Sequence, residues 1–324
     1  MTDSIPVIDL KPLFEDGDAG RLAVAREIGE ACRGIGFFYL KGHGVPAERR
    51  ESVFAMARTF FESPDDLKMK TAYSRDTGNR GYVPMKGESL DPTKAPDLKE
   101  GYNIGLDLAE DDPEILARAP LRALNLWPDV PGFREIMLDY YDAMLSLGRT
   151  LHTAFATELG LDPDFFDDKL RRPLATLRLL HYPESPAEME EGQLGAGEHT
   201  DYGCVTLLAT DDAGGLEVRT RDGEWLSAPY IPDTFICNIG DCLMRWTNDL
   251  YVSTPHRVIN PSGRERYSVP FFLDPDPDAI VACLPGCSGE DSPAKYPPIR
   301  GDDYLLSRLN PTYEKSGLVT GAIN

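Results

Sequence analysis

Gly197-Glu198-His199-Thr200-Asp201-Tyr202-Gly203 is the stretch from which the fold of this 324-residue chain is read. In an extended segment side chains alternate faces, so His199 and Asp201 point one way and Thr200 the other. One imidazole and one carboxylate then converge on a single point. An H-x-D pair by itself is most often a histidine hydrogen-bonded at a surface turn, so a third group is needed. Ser253-Thr254-Pro255-His256-Arg257-Val258 offers one, a histidine in apolar, strand-like surroundings. The chain has five histidines, His43, His152, His181, His199 and His256, so few metal sites can be built. His199 and His256 lie in the same half of the chain, with enough sequence between them to form adjacent walls of a barrel. Two histidines and one carboxylate on one face leave the opposite face of an octahedral metal open, the arrangement of non-heme Fe(II) oxygenases. Zinc accepts the same atoms, so a zinc hydrolase shares this ligand set.

The surrounding sequence predicts a sandwich or barrel. From Leu174 to Leu273 short β-rich runs alternate with turn residues, and the clearest strands are Ala175 to Tyr182, Val205 to Ala209, Leu216 to Arg219, Phe235 to Ile239, Tyr251 to Ile259 and Tyr267 to Leu273. Asp211-Asp212-Ala213-Gly214-Gly215, Arg221-Asp222-Gly223-Glu224 and Trp246-Thr247-Asn248-Asp249 supply tight turns between them. In Arg264-Glu265-Arg266-Tyr267-Ser268-Val269-Pro270-Phe271-Phe272, strand alternation puts Arg266, Ser268 and Pro270 on one face and Tyr267, Val269 and Phe271 on the other. A guanidinium beside a hydroxyl is suited to gripping a carboxylate. An arginine alone on an edge strand is usually solvated, so Arg266 gains weight only in company.

Phe235-Ile236-Cys237-Asn238-Ile239-Gly240-Asp241, the His256 segment and Arg266-Tyr267-Ser268 together resemble the catalytic half of the 2-oxoglutarate- and Fe(II)-dependent oxygenases, within them the isopenicillin N synthase-like branch. Ile5-Pro6-Val7-Ile8-Asp9-Leu10, Gly36-Phe37-Phe38-Tyr39-Leu40 and Gly42-His43-Gly44-Val45 are similar to that branch's opening segment, so the likeness spans nearly the whole chain. It implies a mainly β fold with flanking helices (α+β), built on a double-stranded β-helix, or jelly roll. Residues 1–170 would form the N-terminal segment, 171–280 the jelly-roll core and 281–324 a C-terminal segment packing back on it. The resemblance implies iron ligands at His199, Asp201 and His256, and a cosubstrate clamp of Arg266 and Ser268 with the hydroxyl of Tyr182. The implied cofactors are Fe(II), 2-oxoglutarate and O2. The implied reaction oxidises a small-molecule C–H, most commonly by hydroxylation, with release of succinate and CO2.

One departure stands out: in Arg178-Leu179-Leu180-His181-Tyr182-Pro183, Leu180 occupies the position where the family commonly has asparagine. That keeps open cosubstrate-independent oxidases of the isopenicillin N synthase or aminocyclopropane carboxylate type, and an ethylene-forming type. A barrel that binds without catalysis is the non-enzymatic alternative, although all three ligand positions and both clamp residues are present. His181 reads as a satisfied strand histidine, His152 as structural and His43, between two glycines, as a turn residue.

Formal charge of -21 argues against nucleic acid and anionic membranes, whose fields would repel the chain. The opening Met1-Thr2-Asp3-Ser4-Ile5-Pro6 lacks the basic start and apolar run of a signal, and no stretch is apolar enough to span a membrane, so a soluble cytoplasmic protein is expected. The six cysteines form no C-x-x-C pair and read as reduced thiols. The sequence gives no handle on oligomeric state.

In the N-terminal half, Pro6 to Leu10 and Gly36 to Lys41 read as strands. Leu22, Ala25, Ile28 and Cys32 predict a helix over Ala19 to Cys32, and Val53, Phe54, Ala57, Phe60 and Phe61 the buried face of another over Ala47 to Glu62. Asp76 to Asp107, with its turn signals Gly78-Asn79-Arg80-Gly81-Tyr82 and Asp91-Pro92-Thr93-Lys94-Ala95-Pro96, reads as a long loop covering the site in the resembling family. Tyr82, Lys99, Glu100 and Tyr102 are weak candidates there for substrate contacts, ordinary loop packing being the better reading of each. Pro131 to Gly160 carries the longest apolar stripe, read as a strut against the sheet, and Asp302 to Arg308 has helical character.

Overall fold

Period-two alternation along the strands sets the architecture. The computed structural model describes residues 4–74, 77–88, 96–184, 194–259 and 263–316, with side chains through residue 309 in the last segment. Its first half runs β1 (Val7–Asp9), α1 (Lys11–Glu15), α2 (Gly17–Arg33), β2 (Phe37–Lys41), α3 (Ala47–Phe61), α4 (Asp65–Met69), β3 (Gly81–Val83), β4 (Glu100–Gly105), α5 (Pro113–Leu116) and α6 (Phe133–Glu158). The second half runs β5 (Thr176–Tyr182), β6 (Ala196–His199), β7 (Val205–Thr210), β8 (Leu216–Arg219), β9 (Trp225–Ser227), β10 (Phe235–Ile239) and α7 (Asp241–Trp246). It closes with β11 (His256–Val258), β12 (Arg266–Leu273), β13 (Ile280–Val281), β14 (Ile299–Arg300) and α8 (Gly301–Ser316).

Among the described residues the strands form an eight-stranded sheet in the order β1-β2-β10-β7-β12-β5-β4-β3 and a four-stranded sheet in the order β6-β11-β8-β9. A double-stranded β-helix with flanking helices is the result, as the resemblance implied. Val205, Leu207 and Ala209 of β7, and Val269, Phe271 and Leu273 of β12, join the core that packs on α2, α3 and α6. The alternate residues Thr206, Leu208, Ser268, Pro270 and Phe272 turn to the inside of the roll. There Phe37, Tyr39, Leu180, Tyr182 and Ile236 of the large sheet meet Ala196, Leu216, Val218 and Val258 of the small one. One face of each strand thus builds stability and the other is free to build a site.

Phe271 shows the division: it is fully buried and meets the Tyr141 ring edge-on at 5.1 Å between centroids, on the face of β12 opposite Ser268. Phe271→Ala is expected to destabilise the fold by about 3–5 kcal/mol through lost burial and a residual cavity. Chemical denaturation would read it as a lower midpoint with an unchanged slope.

Several sequence expectations need correction. Leu22 is 40% exposed, and the buried face of α2 runs through Val24, Ala25, Ile28 and Cys32 instead. Residues 76–107 are not one irregular loop, because β3 and β4 extend the large sheet within them, β4 pairing with β5 along its whole length. The glycines and charges there masked the strand pattern; residues 76 and 89–95 lie outside the described residues. The strand expected over Tyr251 to Ile259 shortens to β11, and α1, α7 and β9 were too short for a periodic signal. Among the described residues no helix is long and apolar enough to cross a membrane.

Candidate metal centre

His199 is the last residue of β6, and antiparallel pairing sets it directly opposite His256, the first residue of β11. Their rings lie 4.3 Å apart between centroids. Asp201 is not on the strand as alternation assumed, since β6 stops at His199 and Asp201 lies in the turn that follows. Main-chain bonds hold that turn: the Asp241 N–H donates to the Asp201 carbonyl at 2.8 Å and the Gly240 N–H to that of Cys204 at 3.0 Å. A Cβ at Gly240 would come within 2.3 Å of the Gly203 carbonyl oxygen, so glycine is what lets the two backbones approach.

The Asp201 Oδ1 lies 3.8 Å from Nε2 of His199 and 3.7 Å from Nε2 of His256. One potential ligand atom from each of the three residues falls within 4.8 Å of the others. The remaining atoms are already engaged. Nδ1 of His199 donates to the Gly197 carbonyl at 2.7 Å, and Nδ1 of His256 to that of Thr254 at 3.1 Å. A carbonyl can only accept, so each proton resides on Nδ1 and each Nε2 lone pair faces the centre. Oδ2 of Asp201 accepts from Asn238 Nδ2 at 2.7 Å and from the Thr206 hydroxyl, leaving Oδ1 toward the histidines. Burial, then the nearby His256, push His199 down to about 4, which keeps the imidazole neutral. Burial alone would raise Asp201, but His256, His199 and the two donors outweigh it and hold the carboxyl below its ordinary range. Two imidazoles and one carboxylate, each oriented from behind, fit a divalent ion of the iron type.

Asn238 and Thr206 orient the aspartate, and sequence reasoning gave neither a role. Both are alternate residues of strands whose other face is core, and only the pairing of β10 with β7, which sets Asn238 opposite Thr206, brings them to Asp201. Asn238→Leu or Thr206→Val should lower Fe(II) affinity about 10–100-fold while the fold persists. Anaerobic Fe(II) titration checks this.

The other predicted group gathers in the same cavity, which is lined by Arg266, Ser268 and Tyr182 as well as by His199, Asp201 and His256. Register sets Arg266 opposite Tyr182 and Ser268 opposite Leu180. Arg266 is 1% exposed, donates from Nη1 to the Ser268 hydroxyl at 3.1 Å and from Nε to the Gly214 carbonyl at 2.7 Å, and lies 4.7 Å over the Tyr182 ring. Among the described residues its guanidinium has no carboxylate partner. A buried cation without a counter-ion is costly, and an incoming carboxylate would relieve it. Leu180 presents an apolar side chain to this cavity.

Of the four weak candidates, Lys99 lines the cavity, pairing with Asp97 at 2.9 Å and lying 3.8 Å from Glu88. Tyr82, Glu100 and Tyr102 turn the other way. Glu100 accepts from Tyr82 at 2.5 Å and Lys68 at 3.0 Å, and its second oxygen meets Nδ1 of His181 at 2.7 Å. His181 is therefore a strand histidine anchored through Nδ1 away from the three converging groups, only half satisfied, since its Nε2, 3.5 Å from a Glu265 oxygen, makes no hydrogen bond among the described residues. His152 bonds the Gly148 carbonyl at 2.8 Å, and His43 accepts from the Val45 N–H at 3.1 Å. Arg178, Asn103 and Asp274 line the cavity unforeseen, as do Leu305 and Leu309 of α8.

A jelly roll with two histidines and a carboxylate converging in its interior defines the class of mononuclear non-heme iron oxygenases. Residues 5–130 match the family model of the N-terminal region of non-haem dioxygenases in morphine synthesis, and residues 173–275 that of the 2OG-Fe(II) oxygenase superfamily. The chain is 36% identical over 317 residues to the 2-oxoglutarate-Fe(II) type oxidoreductase hxnY of Emericella nidulans, covering 96% of this chain and 91% of that one. It is 41% identical over 281 residues to the 2-oxoglutarate-dependent dioxygenase citB of Monascus ruber, covering 83% and 84%. A full-length Neurospora crassa protein, solved in complex with alpha-KG, superposes with a TM-score of 0.86 at 35% identity, covering 95% of this chain and 96% of that one.

The chain belongs to the 2-oxoglutarate- and Fe(II)-dependent oxygenase superfamily. It is a dioxygenase whose cofactors are Fe(II), 2-oxoglutarate and O2, and the likenesses do not favour the cosubstrate-independent, ethylene-forming or inactive-barrel readings.

Proposed function

We propose that His199, Asp201 and His256 hold the iron through Nε2, Oδ1 and Nε2, that Arg266, Ser268 and Tyr182 receive the far carboxylate of 2-oxoglutarate, and that the substrate is a small polar molecule. Bound Fe(II) supplies the redox chemistry by which O2 converts 2-oxoglutarate to succinate and CO2 and oxidises a substrate C–H. The protein's own part is positional. The carbonyls behind the two Nδ1 atoms fix the imidazoles, Asn238 and Thr206 turn the aspartate, and Arg266 with Ser268 selects a dicarboxylic keto acid by the length that reaches both ends of the cavity. The observation that supports this reading is the convergence of both groups on one cavity, with a buried guanidinium at one end that has no carboxylate partner among the described residues.

A polar substrate is supported by the wall beyond the clamp, where Arg178, Asn103, Thr176 and Asp274 face the cavity alongside Phe272 and Tyr202. The Neurospora crassa protein has also been solved with thymine and with 5-formyluracil, small polar rings of the kind such a wall suits. The test is succinate release from 2-oxoglutarate by the iron-loaded enzyme in the presence of thymine, 5-formyluracil and other small polar compounds, set against fatty acids and terpenes. Stimulation by polar compounds is expected. Stimulation by the apolar compounds alone would contradict the polar substrate, and no dependence of turnover on 2-oxoglutarate would contradict the clamp.

A further inference from the structure

Two buried acceptors on side chains of cavity-lining residues are left without hydrogen-bond partners among the described residues: Oδ1 of Asp274 and Oδ1 of Asn103. Both side chains are deeply buried, at 4% and 2% exposure. Asn103 already gives its Nδ2 to Asn79 at 3.0 Å, so it is the carbonyl end that is unsatisfied. Asp274 follows β12 directly, and its carboxyl lies against the backbone beside the metal centre. A Cβ at Gly203 would stand 2.8 Å from Oδ1, so a side chain there would crowd the carboxyl and force it to shift. Buried acceptors without donors are rare in folded proteins and are unfavourable, so two in one cavity ask for a ligand that supplies donors. Phe272, Tyr202 and Leu305 wall the same cavity with apolar surface.

We propose that Asp274, assisted by Asn103, accepts N–H or O–H donors of the substrate. The site then selects small molecules that combine an apolar face with such donors, for example lactams, cyclic imides and hydroxylated rings, over their N- or O-methylated counterparts. This deepens the reading of the cavity as a site for small polar substrates and rests on it. Asp274 is a specificity residue that touches the substrate; it has no part in holding the iron.

The experiment uses the full chain loaded with Fe(II) and 2-oxoglutarate, and matched pairs as probes: thymine and 1,3-dimethylthymine, 2-pyridone and its N-methyl derivative, phenol and anisole. Succinate release is measured for each. At least one donor-bearing member is expected to exceed its methylated partner in kcat/KM by roughly 10-fold or more, because a site built to bond a donor rejects the analogue lacking it. In Asp274→Leu that preference is expected to collapse, whereas Asp274→Asn, which keeps an acceptor oxygen, retains most of it. Asp274→Leu should also melt at the same or a higher temperature, since it removes an unpartnered buried polar group; a purely structural carboxyl would lower it. Equal response within every pair, no response to any pair, or an unchanged preference in Asp274→Leu overturns the proposal. The visible charge-transfer band of the wild-type enzyme on anaerobic addition of Fe(II) and 2-oxoglutarate separates the two levels. Its absence counts against the metal and cosubstrate assignment, whereas its presence with unresponsive pairs counts against the role of Asp274 alone.

Discussion

His199→Ala is expected to reduce turnover to background and to strip most of the iron from the protein, with the fold intact. The imidazole is one of three groups converging on one point, and among the described residues no further His, Cys, Asp or Glu belongs to that cluster. Removing an outer partner of a metal ligand already lowers affinity about 10–100-fold, and removing a ligand itself should cost more than the upper end of that range. The side chain is 18% exposed and belongs to none of the hydrophobic clusters, so β6 should still pair with β11. Iron content after anaerobic reconstitution, circular dichroism and succinate release together distinguish loss of the ion from loss of structure. A variant that binds a full equivalent of iron and turns over would remove His199 from the centre.

Arg266→Ala is expected to raise KM for 2-oxoglutarate by about 10²–10³-fold, since each hydrogen bond to a charged group is worth roughly 1.5–3 kcal/mol and the guanidinium offers more than one. Iron affinity should hardly change, because Arg266 reaches none of the three metal-facing atoms. Arg266→Lys should recover little, because an ammonium keeps the charge but loses the fork that Gly214 and Ser268 orient in the native site. The measurement is the 2-oxoglutarate dependence of succinate release alongside an Fe(II) titration. An unchanged KM in Arg266→Ala would show that the cosubstrate is held elsewhere.

How far the sequence carried the site depended on the kind of signal. Alternation in Arg266-Tyr267-Ser268-Val269-Pro270-Phe271 put the right residues inside the roll, because β12 is long and its two faces meet different environments. His199 and Asp201 were paired correctly for a reason that is only partly true: the strand ends between them, and the turn braced by Gly240 and Asp241 brings the carboxylate round. Asn238 and Thr206 could not be read, since a polar residue inside an apolar strand looks the same whether it binds a ligand or a neighbour. Register between β10 and β7 decides it, and register is a property of the fold. The same holds for Leu305 and Leu309, which helical spacing marks as apolar but which tertiary packing alone brings to the cavity. Leu22 failed for the opposite reason, since one apolar residue at helical spacing is no proof of burial.

The most direct test of the account is an anomalous-scattering map at the iron edge from crystals grown without oxygen in Fe(II) and 2-oxoglutarate. One iron peak is expected, bonded to Nε2 of His199, Oδ1 of Asp201 and Nε2 of His256, with the far carboxylate of 2-oxoglutarate on Arg266. Iron elsewhere, or a cosubstrate that leaves Arg266 without a partner, would contradict it.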